Sequence, residues 1–322
     1  MILAYIEWLR NRVGQRKIFL VFGTVVLRDE YGRILLQKRT DFSFWGLPGG
    51  VMEWGEDIET CTRRELLEET GLTAGPLHLV GVYTHPKYDV TYPNGDQVQQ
   101  FTICLTGQVN GGTMQPDGEE TTEQAFFAPE AVAQMNLPIW YADMVRDTLV
   151  GAWPVYTRPF SALQTEDQIG VVRPFIGQEP LIAVGAMALV VGADGRILTI
   201  QRQDNKVWTL PAGFADLGEN VAQTAVRETF EETGYQIELE RLIGVYSGAD
   251  FQHTYPNGDQ VQNVGAMFKA RLVGGQPNPD LGEVAGLRWQ TPEQFLAVLP
   301  ANTWRSYFKL VLQHLDAGSF VC

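Results

Sequence analysis

The chain contains a long internal repeat, and this repeat limits the folds that it can adopt. A glutamate-rich segment at 50–72 returns at 213–235, an offset of 213 − 50 = 163 residues, and no gap is needed to align the two copies. The residues 91–99 recur unchanged at 254–262, with the same offset. Solenoid units are roughly 20 to 50 residues long, so a repeat of this length corresponds to a whole globular domain.

We therefore predict two domains, at residues 1–157 and 158–322. The boundary is expected between Trp153 and Glu166, where prolines and polar residues interrupt any periodic pattern. Each half has about 160 residues, which is enough to bury a core of its own. Because the connection is short, we expect the two domains to touch.

Composition excludes several kinds of protein. The chain is 45% hydrophobic and 19% charged, as in ordinary soluble domains. A net charge of −14 and a pI near 4.7 count against nucleic-acid binding, which requires a basic surface. Cys61, Cys104 and Cys322 form no CxxC pair, which favours a reducing, cytoplasmic location over a disulfide framework or a zinc site. Charges interrupt the apolar runs at the N-terminus, so no membrane association is expected.

The glutamate-rich segment predicts a helix. Residues 57–70 contain neither proline nor glycine, and buried-type side chains recur there at four-residue steps. Gly71 follows at the place where a helix commonly takes a left-handed cap. The second copy predicts the same helix, ending before Gly234.

Three carboxylates lie on one face of the predicted helix. Glu65, Glu68 and Glu69 stand at i, i+3 and i+4, where like charges repel by roughly 0.2–0.5 kcal/mol per pair. Arg64 can pair with Glu68, but one guanidinium cannot neutralise three carboxylates. Oxygen ligands without histidine or cysteine point to Mg²⁺ or Mn²⁺ as the missing positive charge. A solvated acidic helix face is the alternative at this point.

Together these residues resemble the signature of the Nudix hydrolases. Gly50, Glu56 and residues 64–72, Arg-Glu-Leu-Leu-Glu-Glu-Thr-Gly-Leu, meet every position of that pattern. The second copy departs from it at Thr229, where the family has an aliphatic residue, and at the aromatic Tyr235. We expect Thr229 to face the core and to donate its hydroxyl to the helix carbonyl four residues earlier.

The resemblance implies an α/β fold made of two Nudix-type α/β/α sandwiches with mixed sheets, arranged as a tandem, pseudo-dimeric repeat. Initial strands are expected at 18–27 and 181–191, and C-terminal helices at 139–150 and 301–315. The implied activity is hydrolysis of a nucleoside diphosphate linked to another moiety, by attack of water on phosphorus with Mg²⁺ or Mn²⁺ as cofactor.

The resemblance also assigns roles to individual residues in both copies. The implied metal ligands are Gly49 (through its carbonyl), Glu65, Glu68 and Glu69, and then Ala212, Glu228, Glu231 and Glu232. The residues implied to orient those carboxylates are Arg64 and Arg227, which we count as catalytic together with Glu65 and Glu228. The residues implied to support the loop before each helix are Gly50, Glu56, Gly213 and Glu219.

A further glutamate from a late loop often serves Nudix enzymes as a ligand or general base. Glu120 and Glu283 correspond through the repeat and are the catalytic candidates. Glu119 and Glu123 are close alternatives, and a merely acidic surface loop is the other possibility.

Two pairs of residues precede the glycine-rich loops. Arg39 and Arg202 end predicted strands, where an arginine can bind a substrate phosphate or form a structural salt bridge. Trp45 and Trp208 are expected to pack rather than to stack on a base, because the loops that follow them need anchoring.

The remaining local patterns concern the ends of each half. An amphipathic helix is expected at the N-terminus, and Pro174 predicts that its counterpart is shortened or replaced by an extended segment. Asn-Gly at 94–95 and 257–258 predicts type I′ hairpins, which are either plain turns or covers over a substrate pocket or partner domain.

The preferred function is a metal-dependent pyrophosphohydrolase acting on ADP-ribose, a nucleotide sugar or a modified dNTP. The first alternative has one catalytic half and one regulatory or ligand-binding half, with Thr229 and Pro174 marking the second half as the passive one. A pure ligand sensor is a further alternative. The expected partner is a small nucleotide, with no nucleic acid and no membrane, and pairing of the two domains within the chain is a hypothesis.

Overall fold

The computed structural model describes residues 4–116, 118, 120–152, 154–162, 164–278 and 282–315. Three residues named above, Glu119, Trp153 and Cys322, lie outside this set. No helix in the described part of the chain combines the length and apolar character needed to cross a bilayer.

The first half contains the following elements: α1 Tyr5–Val13, β1 Ile18–Arg28, β2 Ile34–Arg39, β3 Trp45–Gly46, β4 Gly49–Val51, α2 Ile58–Thr70, β5 Leu72–Ala74, β6 His78–Tyr83, β7 Val90–Thr91, β8 Gln97–Gly112, β9 Thr121–Phe127, α3 Pro129–Val132 and α4 Ile139–Val150. A short strand, β10 Val155–Tyr156, follows.

The second half has a similar order: β11 Glu166–Asp167, α5 Gln168–Ile176, β12 Leu181–Val191, β13 Ile197–Arg202, β14 Trp208–Thr209, β15 Ala212–Phe214, β16 Asp216–Leu217, α6 Val221–Thr233, β17 Tyr235–Tyr246, β18 Gln252–Thr254, β19 Gln260–Gly275, β20 Val284–Gln290, α7 Pro292–Val298 and α8 Thr303–Gln313. Strand β17 stands in place of β5 and β6, and β11 and β16 form an additional two-stranded sheet. The predicted initial strands and C-terminal helices are therefore confirmed, with bounds that differ by at most two residues.

Each half is built on a mixed sheet. In the first, the strand order is β10-β6-β8-β1-β2-β3, with β1 and β8 parallel and β1 and β2 antiparallel. In the second, the order is β14-β13-β12-β19-β17, and β12 and β19 are again parallel. The long helices α2 and α6 follow the strands β4 and β15, which pair with β1 and β12.

Helices cover both faces of the first sheet, because consecutive residues of a strand point to opposite sides. Val25 and Leu27 of β1 pack in a cluster with Leu66 of α2. Val26, between them, packs with Met144 of α4 on the other face. This is the predicted α/β/α sandwich.

The two halves contact each other through a shared hydrophobic core. Leu9 and Phe101 of the first half belong to the same buried cluster as Val172 and Val264 of the second. The Tyr5 hydroxyl accepts a 2.9 Å hydrogen bond from the Ile182 amide across this boundary. The halves therefore bury apolar surface against one another.

The segment between the halves forms part of the fold. Strand β10 pairs in parallel with the edge strand β6, with Val155 opposite Gly81. The ring of Tyr156 packs edge-on against Phe268 of the second half, with ring centroids 4.9 Å apart. Strand β10 thus belongs to one sheet and contacts the other half.

The expectation that Pro174 shortens or replaces a helix is wrong. Helix α5 has nine residues, as many as α1, and Pro174 lies inside it. Proline removes one internal hydrogen bond, but tertiary contacts hold this helix in place. The Arg173 guanidinium donates to the carbonyls of Gly177, Glu179 and Gln260, and so fastens the helix to the hairpin beyond it.

The hairpins form at the predicted places, but the type I′ assignment is wrong. Strand β7 pairs with β8, and β18 with β19. The Gly95 amide donates to the Tyr92 carbonyl at 2.8 Å, and Gly95 has φ +90°, whereas Asn94 does not have the positive φ that a type I′ turn requires. Pro93 fixes a negative φ, and a type I turn followed by a left-handed glycine results.

Candidate active site

Helix α2 begins and ends at residues that its sequence dictates. The Asp57 side chain accepts from the Thr60 amide at the N-terminus, and Gly71 ends the helix with φ 72°. Ile58, Thr62 and Leu66 are buried on its inner face. Beside this face the three predicted glutamates differ in exposure: Glu68 is exposed, Glu65 is half-buried and Glu69 is buried.

Arg64 links the acidic residues of the first half. Its Nε and Nη2 donate to the two carboxylate oxygens of Glu56 at 2.7 and 2.9 Å. Its Nη1 donates to Glu65 at 2.7 Å and to Glu68 at 3.1 Å. One guanidinium thus fixes three carboxylates relative to the loop before the helix.

Arg227 makes the same arrangement in the second half. It donates to both oxygens of Glu219 at 2.7 and 3.0 Å, to Glu228 at 2.7 Å and to Glu231 at 2.9 Å. The Thr229 hydroxyl is fully buried and donates to the Ala225 carbonyl at 2.7 Å, as expected. The departure at Thr229 leaves the acidic arrangement intact.

The glycines before each helix allow a carboxylate to lie against the backbone. A side chain on Gly50 would overlap the carboxylate of Glu65, and one on Gly213 would overlap that of Glu228. The absence of a Cβ is required here by close approach.

The third glutamate of each motif is buried and bound to backbone. Glu69 accepts from the Gly49 amide at 2.8 Å, and Glu232 accepts from the Ala212 amide at 2.9 Å. Gly49 has φ +146°, and a side chain there would overlap the Gly23 carbonyl, whereas Ala212 does not have a positive φ. The two loops therefore differ in backbone conformation at this position.

Burial raises the pKa of these carboxyl groups. Burial raises the pKa of Glu69 to about 8, although the hydrogen bond from Gly49 opposes it. Burial also raises the pKa of Glu65 to about 6 and of Glu228 to about 7, against the effect of the neighbouring arginines. Burial raises the pKa of Glu232 as well. In both halves burial opposes ionisation of these carboxyl groups more strongly than the neighbouring arginines and amides favour it.

The donor set fits a hard divalent cation. Every candidate ligand is an oxygen, and Oε1 of Glu69 is buried with no hydrogen-bond partner in the described part of the chain. As placed, no three carboxylate, imidazole or thiol groups among the described residues converge on one point. Glu65 is turned toward Arg64 and Glu69 toward Gly49, so the acids lie beside one another without converging.

The late-loop glutamates lie near the motif acids. The negative charge of Glu120 contributes to the raised pKa of Glu65, and that of Glu283 contributes likewise at Glu228. Backbone hydrogen bonds place both residues: the Glu120 carbonyl accepts from the Thr40 amide at 2.9 Å, and the Glu283 carbonyl accepts from the Gln203 amide at 2.7 Å. The alternative Glu123 pairs with the ammonium group of Lys38 at 2.7 Å, while Glu119 is outside the described residues.

Arg39 and Arg202 are each held by an aspartate. Nε and Nη2 of Arg39 donate to Asp41 at 2.9 and 2.8 Å, and Arg202 binds Asp204 in the same way at 3.0 and 2.7 Å. Arg39 lines the same cleft as Glu65 and Glu68. Its salt bridge with Asp41 therefore holds the guanidinium beside these acids.

A cleft of about 380 Å³ joins the acids of the first half to an aromatic wall. Glu65, Glu68 and Glu120 line one side of it. Its aromatic residues are Phe42, Phe44, Tyr92, Trp140 and Tyr141. Phe42 and Phe44 stack with ring centroids 5.2 Å apart, and Tyr92 of the first hairpin lies 5.4 Å from Phe42.

Sequence reasoning missed this aromatic wall. Its residues come from three separate segments, and three of them are replaced through the repeat by Asn205, Val207 and Thr303. That difference between the halves was the available signal. Trp45 and Trp208 pack, as predicted: Trp45 lies edge-on to Phe127 at 5.1 Å, and Trp208 is buried.

Fold and site together define a duplicated hydrolase domain, in which an acidic helix faces a cleft of nucleotide size. A family model described as the NUDIX domain matches residues 19–148 and 181–312. The chain belongs to this family. It is a Nudix hydrolase, an enzyme that acts on phosphoric anhydrides.

Three relatives illustrate the similarity. A Bacillus subtilis (strain 168) protein provisionally named an 8-oxo-dGTP diphosphatase is 39% identical over 121 residues, which are 38% of this chain and 74% of that protein. A MutT-like protein of Streptomyces ambofaciens is 34% identical over 36% of this chain and 68% of its own length. The ADP-ribose pyrophosphatase of Methanocaldococcus jannaschii is 37% identical over 31% of this chain and 56% of its own length.

Proposed function

We propose that this Nudix hydrolase is a divalent-metal-dependent pyrophosphohydrolase of a nucleoside diphosphate linked to another moiety, and that the first half carries the productive site. One observation carries this proposal: a single cleft joins the acids of α2 to an aromatic wall that offers stacking surface to a base. Substrates in the class of ADP-ribose, nucleotide sugars or modified dNTPs contain both a chain of phosphates, for the acidic side of the cleft, and a base, for the aromatic side. The names of two relatives, an 8-oxo-dGTP diphosphatase and an ADP-ribose pyrophosphatase, support this class.

The roles that we propose are those that the resemblance to the family assigns. Glu65, Glu68 and Glu69, with the Gly49 carbonyl, would hold Mg²⁺ or Mn²⁺. The chemistry that such an ion supplies is polarisation of phosphate oxygens and activation of water. Arg64 fixes the carboxylates that it binds.

Two residues at the edge of the cleft complete the proposed site. Glu120 lies close enough to Glu65 to influence its pKa, which supports a role as further ligand or general base. Arg39 lies in the cleft wall with its charge oriented by Asp41, which supports a role in binding a substrate phosphate.

The second half has the same acidic residues as the first but lacks three of the aromatic residues that line the first-half cleft. Glu228, Glu231, Glu232 and Glu283 repeat the acidic set, with the Ala212 carbonyl and Arg202 in the matching places. The aromatic positions 42, 44 and 140 correspond to Asn205, Val207 and Thr303. This difference favours the second candidate function, in which the second half binds a ligand or regulates without turning over substrate.

The experiment is phosphate release from a nucleotide panel, coupled to a phosphatase where needed, with and without Mg²⁺ or Mn²⁺. Glu69→Gln and Glu232→Gln are then compared separately. We expect Glu69→Gln to lower turnover at least about tenfold and Glu232→Gln to leave most of it. Equal losses would show that both halves are catalytic, and no turnover of any nucleotide with either metal would overturn the proposal.

We also propose a reducing, cytoplasmic location and no nucleic-acid partner. Cys61 and Cys104 are buried free thiols, which supports the first point. The net charge of −14 supports the second. We further propose that the paired halves, with a boundary between residues 157 and 158, are the functional unit, supported by their shared core.

A further inference from the structure

Two buried glutamine side chains cross between the halves. Oε1 of Gln262 accepts from the Gly55 amide at 2.7 Å, and its Nε2 donates to the Glu56 carbonyl at 3.0 Å. Gln99 makes the reciprocal pair of contacts, with Gly218 at 2.7 Å and Glu219 at 2.6 Å. Each glutamine therefore satisfies one donor and one acceptor of a loop in the opposite half.

The loop that Gln262 contacts contains Glu56, which holds Arg64 of the acidic helix α2. The backbone that Gln262 holds is that of Glu56, whose carboxylate binds both Nε and Nη2 of Arg64. Arg64 in turn holds Glu65 at 2.7 Å. A continuous series of hydrogen bonds thus runs from a side chain of the second half to a candidate metal ligand of the first.

A second contact reaches the same loop from the second half. The hydroxyl of Ser247 accepts from the amide of Ile58, the first residue of α2, at 3.0 Å. Gly248 has φ +106° and lies against Asp57, where a side chain would be in tight contact. The first residues of the acidic helix α2 therefore contact the second half directly.

The contacts on the two sides are unequal. Gln252 donates to Oε1 of Gln262 at 3.0 Å and fixes the orientation of that amide, whereas the equivalent of Gln252 is Asp89, which pairs with Lys17. The equivalent of Ser247 is Thr84, whose buried hydroxyl has no hydrogen-bond partner in the described part of the chain. Among the described residues, the contacts of Gln252 and Ser247 thus have no counterpart reaching from the first half to the second.

We propose that Gln262, with Ser247, is a positioning residue for the active site of the first half, so that the second half is needed for metal binding and turnover by the first. This inference rests on the proposed function. Neither residue touches substrate or metal; each acts through the loop 55–58 and Arg64.

The test uses the full chain carrying Glu228→Gln, Glu231→Gln and Glu232→Gln, so that Mn²⁺ binding reports the first half. Gln262→Leu removes both hydrogen bonds at similar side-chain size. We expect the Kd for Mn²⁺, measured by electron paramagnetic resonance, to rise at least tenfold. Turnover should fall through kcat with KM within about twofold. In metal-free protein, amide hydrogen exchange in 55–58 should accelerate.

The matched control is Gln178→Leu. Gln178 lies in the same half and donates to the Asn257 carbonyl, a contact made within that half. We expect it to leave the Kd for Mn²⁺ unchanged. The reciprocal variant, Gln99→Leu, should weaken Mn²⁺ binding in a chain that retains only the second-half acids. If Gln262→Leu fails to fold, Ser247→Ala removes the bond from the Ile58 amide and should raise the Kd about threefold.

The outcomes separate the two proposals. Absence of Mn²⁺ binding by the unmodified chain would overturn the proposed function and the inference together. If Gln262→Leu folds and shows the same Kd for Mn²⁺ and the same exchange rates as Gln178→Leu, the inference alone is overturned. A rise in Kd for Gln262→Leu only would support it.

Discussion

Burial decides the charge state of the glutamates on the two acidic helices. Glu69 and Glu232 are equally placed in their motifs, and both are buried against a backbone amide. A carboxylate in such a position is destabilised unless a positive charge accompanies it. At the residue scale, the acids are therefore costly in metal-free protein, and a bound cation removes that cost.

This argument predicts a pH dependence for the stability of metal-free protein. The pKa of Glu69 rises from 4.5 to about 8 on folding, so the folded state holds a proton that the unfolded chain has released. Stability should therefore fall as the pH rises through this interval, with Glu65 and Glu228 acting in the same direction.

The measurement is the Tm in EDTA at several pH values from about 5 to 8.5, repeated with Mg²⁺. We expect Mg²⁺ to raise the Tm most at the alkaline end. Glu69→Gln, which cannot ionise, should flatten the metal-free curve. A Tm that rises over this range would contradict the assignment.

The motif residues were accessible to sequence reasoning because their spacing on one helix fixes their relative positions. Glu65, Glu68 and Glu69 needed only the helical period. The aromatic wall was not accessible, because Phe44 and Trp140 come into contact only after the chain has folded. The turn type was missed because Pro93 overrides the Asn-Gly preference.

At the scale of elements, the two nine-residue helices α1 and α5 show how tertiary contacts override local preference. They occupy equivalent places, and one contains proline where the other has Asn11. Sequence preference predicted different structures, but the arginine contacts at the end of each helix are the same. Arg10 donates to the carbonyls of Gly14, Arg16 and Gln97, as Arg173 does in its half.

The proline difference can be tested by exchange. Pro174→Ala should stabilise the protein, because the Gly170 carbonyl regains an internal donor, and Asn11→Pro should destabilise it by up to about 3 kcal/mol. Urea denaturation of both variants gives the comparison. Destabilisation by Pro174→Ala would indicate that the ring itself packs favourably.

At the scale of the whole molecule, the halves share one buried core. Their shared core and the reciprocal glutamines mean that neither half can unfold without exposing apolar surface and unpaired backbone groups of the other. Two adjacent repeats can be independent, but these are joined by a buried interface.

We therefore expect a single unfolding transition for the full chain. Tryptophan fluorescence and far-ultraviolet circular dichroism should report the same urea midpoint. Separately produced segments 1–157 and 158–322 should be less stable and should regain stability on mixing. Two resolved transitions in the full chain would contradict this expectation.

The pairing of β10 with β6 has a consequence for solubility. An uncovered outer strand presents unpaired amides and carbonyls to which another chain can add. Val155 and Tyr156 occupy that position, and Gly81 opposite them leaves no room for a side chain, which would overlap the Val155 carbonyl. The segment that joins the halves thus covers part of strand β6, and displacing it would expose that part to strand addition by another chain and to aggregation.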